Sequence, residues 1–166
     1  MSSSLFFDNQ EALFSLSSGT ALFSWLALAA SPHSARWAPR VRLIAGRAVP
    51  LLFAILYVTL FATAGMGDGG YDSLASVQRL VGVPGLLLAG WLHYLAFDLF
   101  VGAWIADRAG ALGMPHLAVL PLLGLTFLFG PAGLLAFALL RMFWLRRTRP
   151  ALPALPAPPS PWSKQL

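Results

Sequence analysis

The sequence predicts an all-α integral membrane protein, a bundle of about four transmembrane helices with a short amphipathic helix before the third and a kinked or broken last helix. Two observations carry this reading: hydrophobic residues make up 58% of the chain and charged ones 10%, and the apolar residues gather into stretches of bilayer length. A soluble domain holds roughly 25% charged residues. A chain of 166 residues cannot keep so much apolar surface from water, so lipid is the expected solvent.

The first span is expected at about 11–30. It stops at Ser31-Pro32, because proline disfavours a helical residue before it. The N-terminus, MSSSLFFDNQE, has acids and no Lys or Arg. It lacks the basic start of a signal peptide and the Arg-rich character of a transit peptide, so this helix is expected to be retained. The second span, about 41–64, ends in the Gly-rich turn Gly65-Met66-Gly67-Asp68-Gly69-Gly70. Between 71 and 83, Leu74, Val77, Leu80 and Val81 fall at helical spacing with Asp72, Gln78 and Arg79 among them, which predicts a short amphipathic helix on the membrane surface. The third span, about 84–105, opens on Pro84 and closes at Asp107-Arg108. The last apolar stretch, about 115–145, exceeds the roughly 20 residues a bilayer needs. Pro121 and Gly130-Pro131 interrupt it, and a break is expected near Phe129–Pro131. Residues 1–147 thus form one membrane domain. Residues 148–166, with six prolines from Pro150 to Pro161, read as an extended mobile tail.

Charge placement raises a conflict. Most of the basic residues cluster at Arg36–Arg47 and Arg141–Arg149. The positive-inside rule puts the first cluster in the cytoplasm and the acidic N-terminus outside. Four full spans would then place the second cluster outside. Either the last stretch is a re-entrant hairpin, or the rule is broken at one end; four spans is the preferred reading. The net charge of +5 is assigned to these flanks and to anionic lipid, not to nucleic acid, for which the chain has no soluble module. The expected location is multi-pass in a bacterial inner membrane.

The third span carries the chemistry. His93 and Asp98 both lie at membrane depth, and Asp98 is roughly 13 Å along the helix from Asp107. Ionisable side chains there are costly, face bundle interiors and mark functional sites. A neutral aspartic acid can donate a proton and a nearby imidazole can accept one. Positions five apart differ by about 140° in azimuth, so the two residues flank a shared interior more easily than they touch. Tyr94, four residues before Asp98, is the better same-face neighbour. The bland alternative is a pair of interhelical hydrogen bonds that fix the bundle.

Asp98 and His93 are therefore the catalytic candidates, and Trp91, Tyr94, Phe97, Trp104 and Thr126 the substrate-binding ones. His116 and Asp107 are weaker additions near one membrane face. Thr126 is expected to bond its own helix backbone, and Asp107 to sit in a solvated turn. No metal set is expected, since His116 lacks partners at its depth. The chain has no cysteine, which removes disulfides, thiol nucleophiles and iron–sulfur clusters. No phosphate-binding loop, GxSxG, HExxH or dinucleotide fingerprint is present, and no cofactor is expected.

The stretch Gly90-Trp91-Leu92-His93-Tyr94-Leu95-Ala96-Phe97-Asp98-Leu99-Phe100-Val101-Gly102 resembles the signature of the abscisic-acid-deficiency-four-like membrane proteins. The block Gly113-Met114-Pro115-His116, Pro121, then Leu125-Thr126-Phe127-Leu128-Phe129-Gly130-Pro131-Ala132-Gly133-Leu134-Leu135, ending at Arg141, fits as well. The resemblance is specific from about 90 to 141; before that it rests on hydropathy and segment order. It implies a four-helix membrane protein linked to carotenoid metabolism. In plants that reaction opens the epoxide of violaxanthin to give the allene of neoxanthin, an isomerisation needing an acid at oxygen and a base at carbon. The resemblance thus implies an isomerase acting on a carotenoid or other apolar isoprenoid, with membrane lipid as a further partner. Two alternatives stay open: a non-catalytic lipid-binding or assembly module, in which a second copy of the chain is a candidate partner, and a proton or ion pathway.

Overall fold

The computed structural model describes residues 2–147, with side chains from residue 9 onward; the Pro-rich tail lies outside the described residues. Among them every regular element is helical. The helices are α1 (Ser2–Ala29), α2 (Ala38–Ala64), α3 (Leu74–Val81), α4 (Pro84–Ala111), α5 (His116–Phe129) and α6 (Pro131–Arg147). Three helices are long and apolar enough to cross a membrane: Asn9–Ala29 of α1, α2 and α4.

α4 is the axis of the bundle and packs on all five other helices. It runs six residues beyond the expected end at 105, so Asp107 and Arg108 stand on its last turns instead of in a loop. Small residues let the neighbours approach, as is common between membrane helices. A Cβ on Gly102 would overlap the Trp25 ring of α1, and one on Gly46 of α2 would overlap the Ala103 side chain. α2 holds a π-helical segment, Ile44–Ala48. Pro50 has no N–H to offer the Gly46 carbonyl, and the ladder widens there so that Val49 N–H reaches Ile44 O. α3 starts at Ser73, whose side chain accepts from Ser76 N–H at 3.1 Å. Its Leu74 and Val81 stay exposed, as an interfacial helix requires.

The last apolar stretch differs most from expectation. Pro121 sits inside α5 without ending it. The chain breaks at Gly130, whose φ of 40° and ψ of −93° suit only glycine. α6 then folds back along α5 instead of continuing. Gly133 packs so tightly on Thr126 that a Cβ there would overlap the threonine side chain and backbone. Trp104 of α4 meets Phe137 of α6 edge-on at 5.5 Å. Near the end of α6, Trp144 Nε1–H donates to Leu112 O at 3.0 Å, in the turn from which α5 departs. The fourth stretch is therefore a helical hairpin. Its first arm, 14 residues, is about 21 Å long, short of a bilayer core of roughly 30 Å.

Candidate functional site

Asp98 lies 14 residues after Pro84 and 13 before Ala111, at the middle of α4. Gly130, the tip of the hairpin, lies against it: a Cβ on Gly130 would stand 2.7 Å from Asp98 Oδ1 and 3.2 Å from Oδ2. The carboxyl is thus set near the middle of α4 beside the break between α5 and α6. Non-helical backbone at that depth persists only where protein covers it or a cavity is lined. Asp98 is 8% exposed, and its buried Oδ2 makes no hydrogen bond. A buried polar atom without a partner costs about 1–3 kcal/mol, which marks the carboxyl as a group that packing alone does not explain.

Tyr94 and Trp91 extend the same face of α4 at helical spacing. The Tyr94 hydroxyl lies within hydrogen-bond reach of the Asp98 carboxyl and also donates to Phe127 O at 3.2 Å. The reason lies in the sequence. In an unbroken helix Phe127 O would accept from residue 131, which is proline and has no N–H. Tyr94 supplies the missing donor and ties α5 to α4 beside Asp98. The Trp91 ring stacks on Tyr94 at 5.5 Å and meets Phe14 at 5.5 Å, and its Nε1–H donates to Ser18 Oγ at 3.0 Å. Trp25 completes the surround, edge-on to Phe127 at 5.6 Å. A cavity of about 700 Å³ lies between α1 and α4, lined by Gln10, Phe14, Pro84, Leu87 and Trp91 among others. Trp91 is the lining residue nearest in sequence to Asp98, and its ring stacks on Tyr94 on the side away from Pro84 along α4.

His93 is not part of this arrangement. It is exposed and turned to α2, with its ring 5.6 Å from Tyr57 and 4.6 Å from Phe97. Phe97 shares that side and lines a separate groove of about 440 Å³ against Gly46, Pro50 and Ala54 of α2. The azimuth between positions 93 and 98 therefore separates the two residues and does not make them flank one interior. Trp104 packs on α6 below Asp98. Thr126 is fully buried and bonds Leu122 O at 2.8 Å, the backbone role expected of it. Asp107 is not in a free turn: it lies 3.3 Å from Arg42 Nε. His116 Nε2 is 2.8 Å from Ala29 O. A carbonyl only accepts, so this nitrogen carries the proton. Asp107 and His116 thus share one membrane face, far from Asp98. Among the described residues no group of three or more His, Cys, Asp or Glu could hold a metal ion.

Sequence reasoning missed Ser18, Trp25 and the contact of Gly130 with Asp98. The polar run Ser17-Ser18-Gly19-Thr20 inside the first span was the available signal for Ser18. Nothing local predicts that Gly130 and Asp98 share a depth, because that follows from the fold-back of α6.

The bundle and the carboxyl at its centre define a multi-pass membrane protein organised around one mid-depth acid. Over residues 12–137 the chain matches the ABA DEFICIENT 4-like family, and it belongs to that family. The match reaches into α1 and α2, where the resemblance rests on hydropathy and segment order, and ends before Arg141. No individual curated protein and no solved structure matches the chain.

Proposed function

We propose that the protein is an acid/base isomerase of a carotenoid or other apolar isoprenoid, with Asp98 as its catalytic group. The observation that carries this is the buried, unbonded Asp98 Oδ2 at a helix break in mid-membrane. Family membership supports the substrate class.

An isomerisation takes up no net proton, so one carboxyl can perform both halves. Protonated Asp98 gives its proton to an epoxide oxygen. The C–O bond at the carbon joined to the polyene breaks, and the oxygen stays on the neighbouring ring carbon as a hydroxyl. The Asp98 carboxylate then removes the proton from the next chain carbon. That C–H pair becomes the new double bond, completing an allene with the adjacent one, and Asp98 is protonated again. No oxidant or reductant is needed. Between the two steps the charge on Asp98 faces the N-terminal end of α6, whose helix dipole favours an anion. The cavity between α1 and α4 would take the apolar chain, with Trp91 in its wall and Tyr94 stacked behind it. His93 has no part in this scheme.

The three spans and the hairpin bring Arg36–Arg47 and the α6 arginines Arg141, Arg146 and Arg147 toward one face, which the positive-inside rule makes cytoplasmic. The test is expression in a host that makes epoxidised carotenoids, with pigments separated by chromatography. Wild type and His93→Gln are expected to give the isomer, and Asp98→Asn none at equal protein level. The same product from Asp98→Asn would remove the role given to Asp98. No product from wild type would favour a binding or assembly module.

A further inference from the structure

A second polar site lies at the opposite end of α4 from Pro84 and is independent of Asp98. The loop after α1, the start of α2, the end of α4 and the start of α5 enclose a cavity of about 310 Å³, at the small end of the roughly 300–1,000 Å³ typical of ligand pockets. His33, Ser34, Arg42 and His116 are its polar lining.

Arg42 is 7% exposed, and a cation is rarely buried so far without a purpose. Its Nε faces Asp107 Oδ1 at 3.3 Å without hydrogen-bond alignment. Its Nη1 donates to His33 Nδ1 at 3.1 Å. Neither contact uses Nη2. Because a guanidinium can only donate, His33 Nδ1 must be the acceptor, which leaves the proton of a neutral ring on Nε2. The lining therefore offers three kinds of donor, the Arg42 guanidinium N–H, the His33 Nε2–H and the Ser34 hydroxyl, while the His116 proton is spent on Ala29 O and that ring serves as a wall. Asp107 is the one acid at the site, and it is 54% exposed at the rim. The pocket is held open by its surroundings. A Cβ on Gly110 would overlap the His33 ring, Ser31 Oγ is fixed on Leu28 O at 3.0 Å, and His116 is fixed on Ala29 O.

Position adds a second argument. Of the basic residues in the described chain, Arg79 alone sits on the other face. Arg36, Arg40, Arg108, Arg146 and Arg147 stand at the same end of the bundle as this pocket, as expected of basic flanks that meet anionic lipid. A planar guanidinium and neighbouring N–H and O–H donors match the tetrahedral oxygens of a phosphate group.

We propose that the His33–Ser34–Arg42–His116 pocket binds a phosphate group, from an anionic phospholipid headgroup or from free phosphate. The full chain is placed in nanodiscs of phosphatidylcholine alone or with phosphatidylglycerol. Retained lipid is counted by native mass spectrometry, and unfolding temperature is read with and without millimolar inorganic phosphate. A built site holds one phosphatidylglycerol, or is stabilised by inorganic phosphate in phosphatidylcholine discs; the first result assigns a headgroup and the second a soluble phosphate. Arg42→Gln is expected to weaken either effect roughly tenfold, the size of one charge-assisted hydrogen bond. Arg40→Gln, which removes the same charge from an exposed position outside the pocket, is expected to leave it unchanged. If Arg42→Gln does not fold, His33→Ala, at a loop position that is exposed overall, takes its place and is expected to weaken the same effect. Equal losses from Arg40→Gln and the pocket variants, or no preference of wild type for either phosphate source, would overturn the proposal.

Discussion

Gly130→Ala tests whether the hairpin tip and the mid-membrane carboxyl are one unit. The substitution has two costs, and they can be separated. The first is local: φ 40° and ψ −93° lie in a region side chains avoid, which costs on the order of 1–3 kcal/mol. The second is the meeting with Asp98. The new Cβ would be 2.7 Å from Oδ1 and 3.2 Å from Oδ2, where ordinary contact begins at 3.4 Å. Overpacking of this kind costs about 1–3 kcal/mol. Together they come to about 2–6 kcal/mol in the natural protein. In an Asp98→Ala background the carboxyl is gone and only the backbone cost remains, about 1–3 kcal/mol. A double-mutant cycle should therefore give a coupling of about 1–3 kcal/mol, with Gly130→Ala less damaging once Asp98 is absent. Reversible unfolding in mixed micelles by SDS titration measures all four corners. Equal costs in both backgrounds would refute the contact between the hairpin tip and the carboxyl.

Tyr94→Phe removes the donor that replaces the missing N–H of Pro131 and leaves Phe127 O unpaired. Because the hydroxyl is partly exposed and membrane hydrogen bonds average about 0.6 kcal/mol, a loss of roughly 0.5–1.5 kcal/mol is expected in the same SDS assay; no loss would mean that the cap is not made. Gly133→Ala should cost more than Tyr94→Phe, because its Cβ would overlap Thr126 backbone as well as side chain; a mild effect, below about 1 kcal/mol, would argue against the tight fold-back. The chain has no cysteine, so single-cysteine variants report topology directly. Ser34→Cys and Arg147→Cys should label from one side of the membrane and Ser73→Cys from the other; Arg147→Cys labelling with Ser73→Cys would refute the hairpin.

The helices were legible because lipid imposes a simple constraint. Each spanning segment must satisfy its own backbone and be apolar throughout, so composition over about 20 residues is enough to find α1, α2 and α4. Their ends were less legible. Asp107 and Arg108 look like a stop, yet α4 carries them because Asp107 faces Arg42 on α2, a partner that is not local in sequence. The depth of Asp98 was readable from counting residues along α4. The partner assigned to it was not. A helix fixes the azimuth between His93 and Asp98, but which azimuth faces the bundle depends on where α2 and the hairpin dock. Here α2 takes the His93 side and the hairpin takes the Asp98 side.

The hairpin also resolves what charge and span count left in conflict. With three crossings and a fold-back, the Arg-rich end of α6 returns to the face that holds Arg36, Arg40, Arg42 and Arg47, and no basic cluster is stranded outside. The same fold-back requires a break about halfway through the bilayer, since α5 is only about 21 Å long. A break at that depth leaves a carbonyl without its N–H and a helix start without a preceding turn, and both must be satisfied within protein. Tyr94 meets the first need. The second places the N-terminal end of α6 beside Asp98. Topology and chemistry therefore share a cause: the Gly130-Pro131 step that brings the C-terminal arginines back to their own side is the step that sets an irregular, polar backbone against the one acid at the centre of α4.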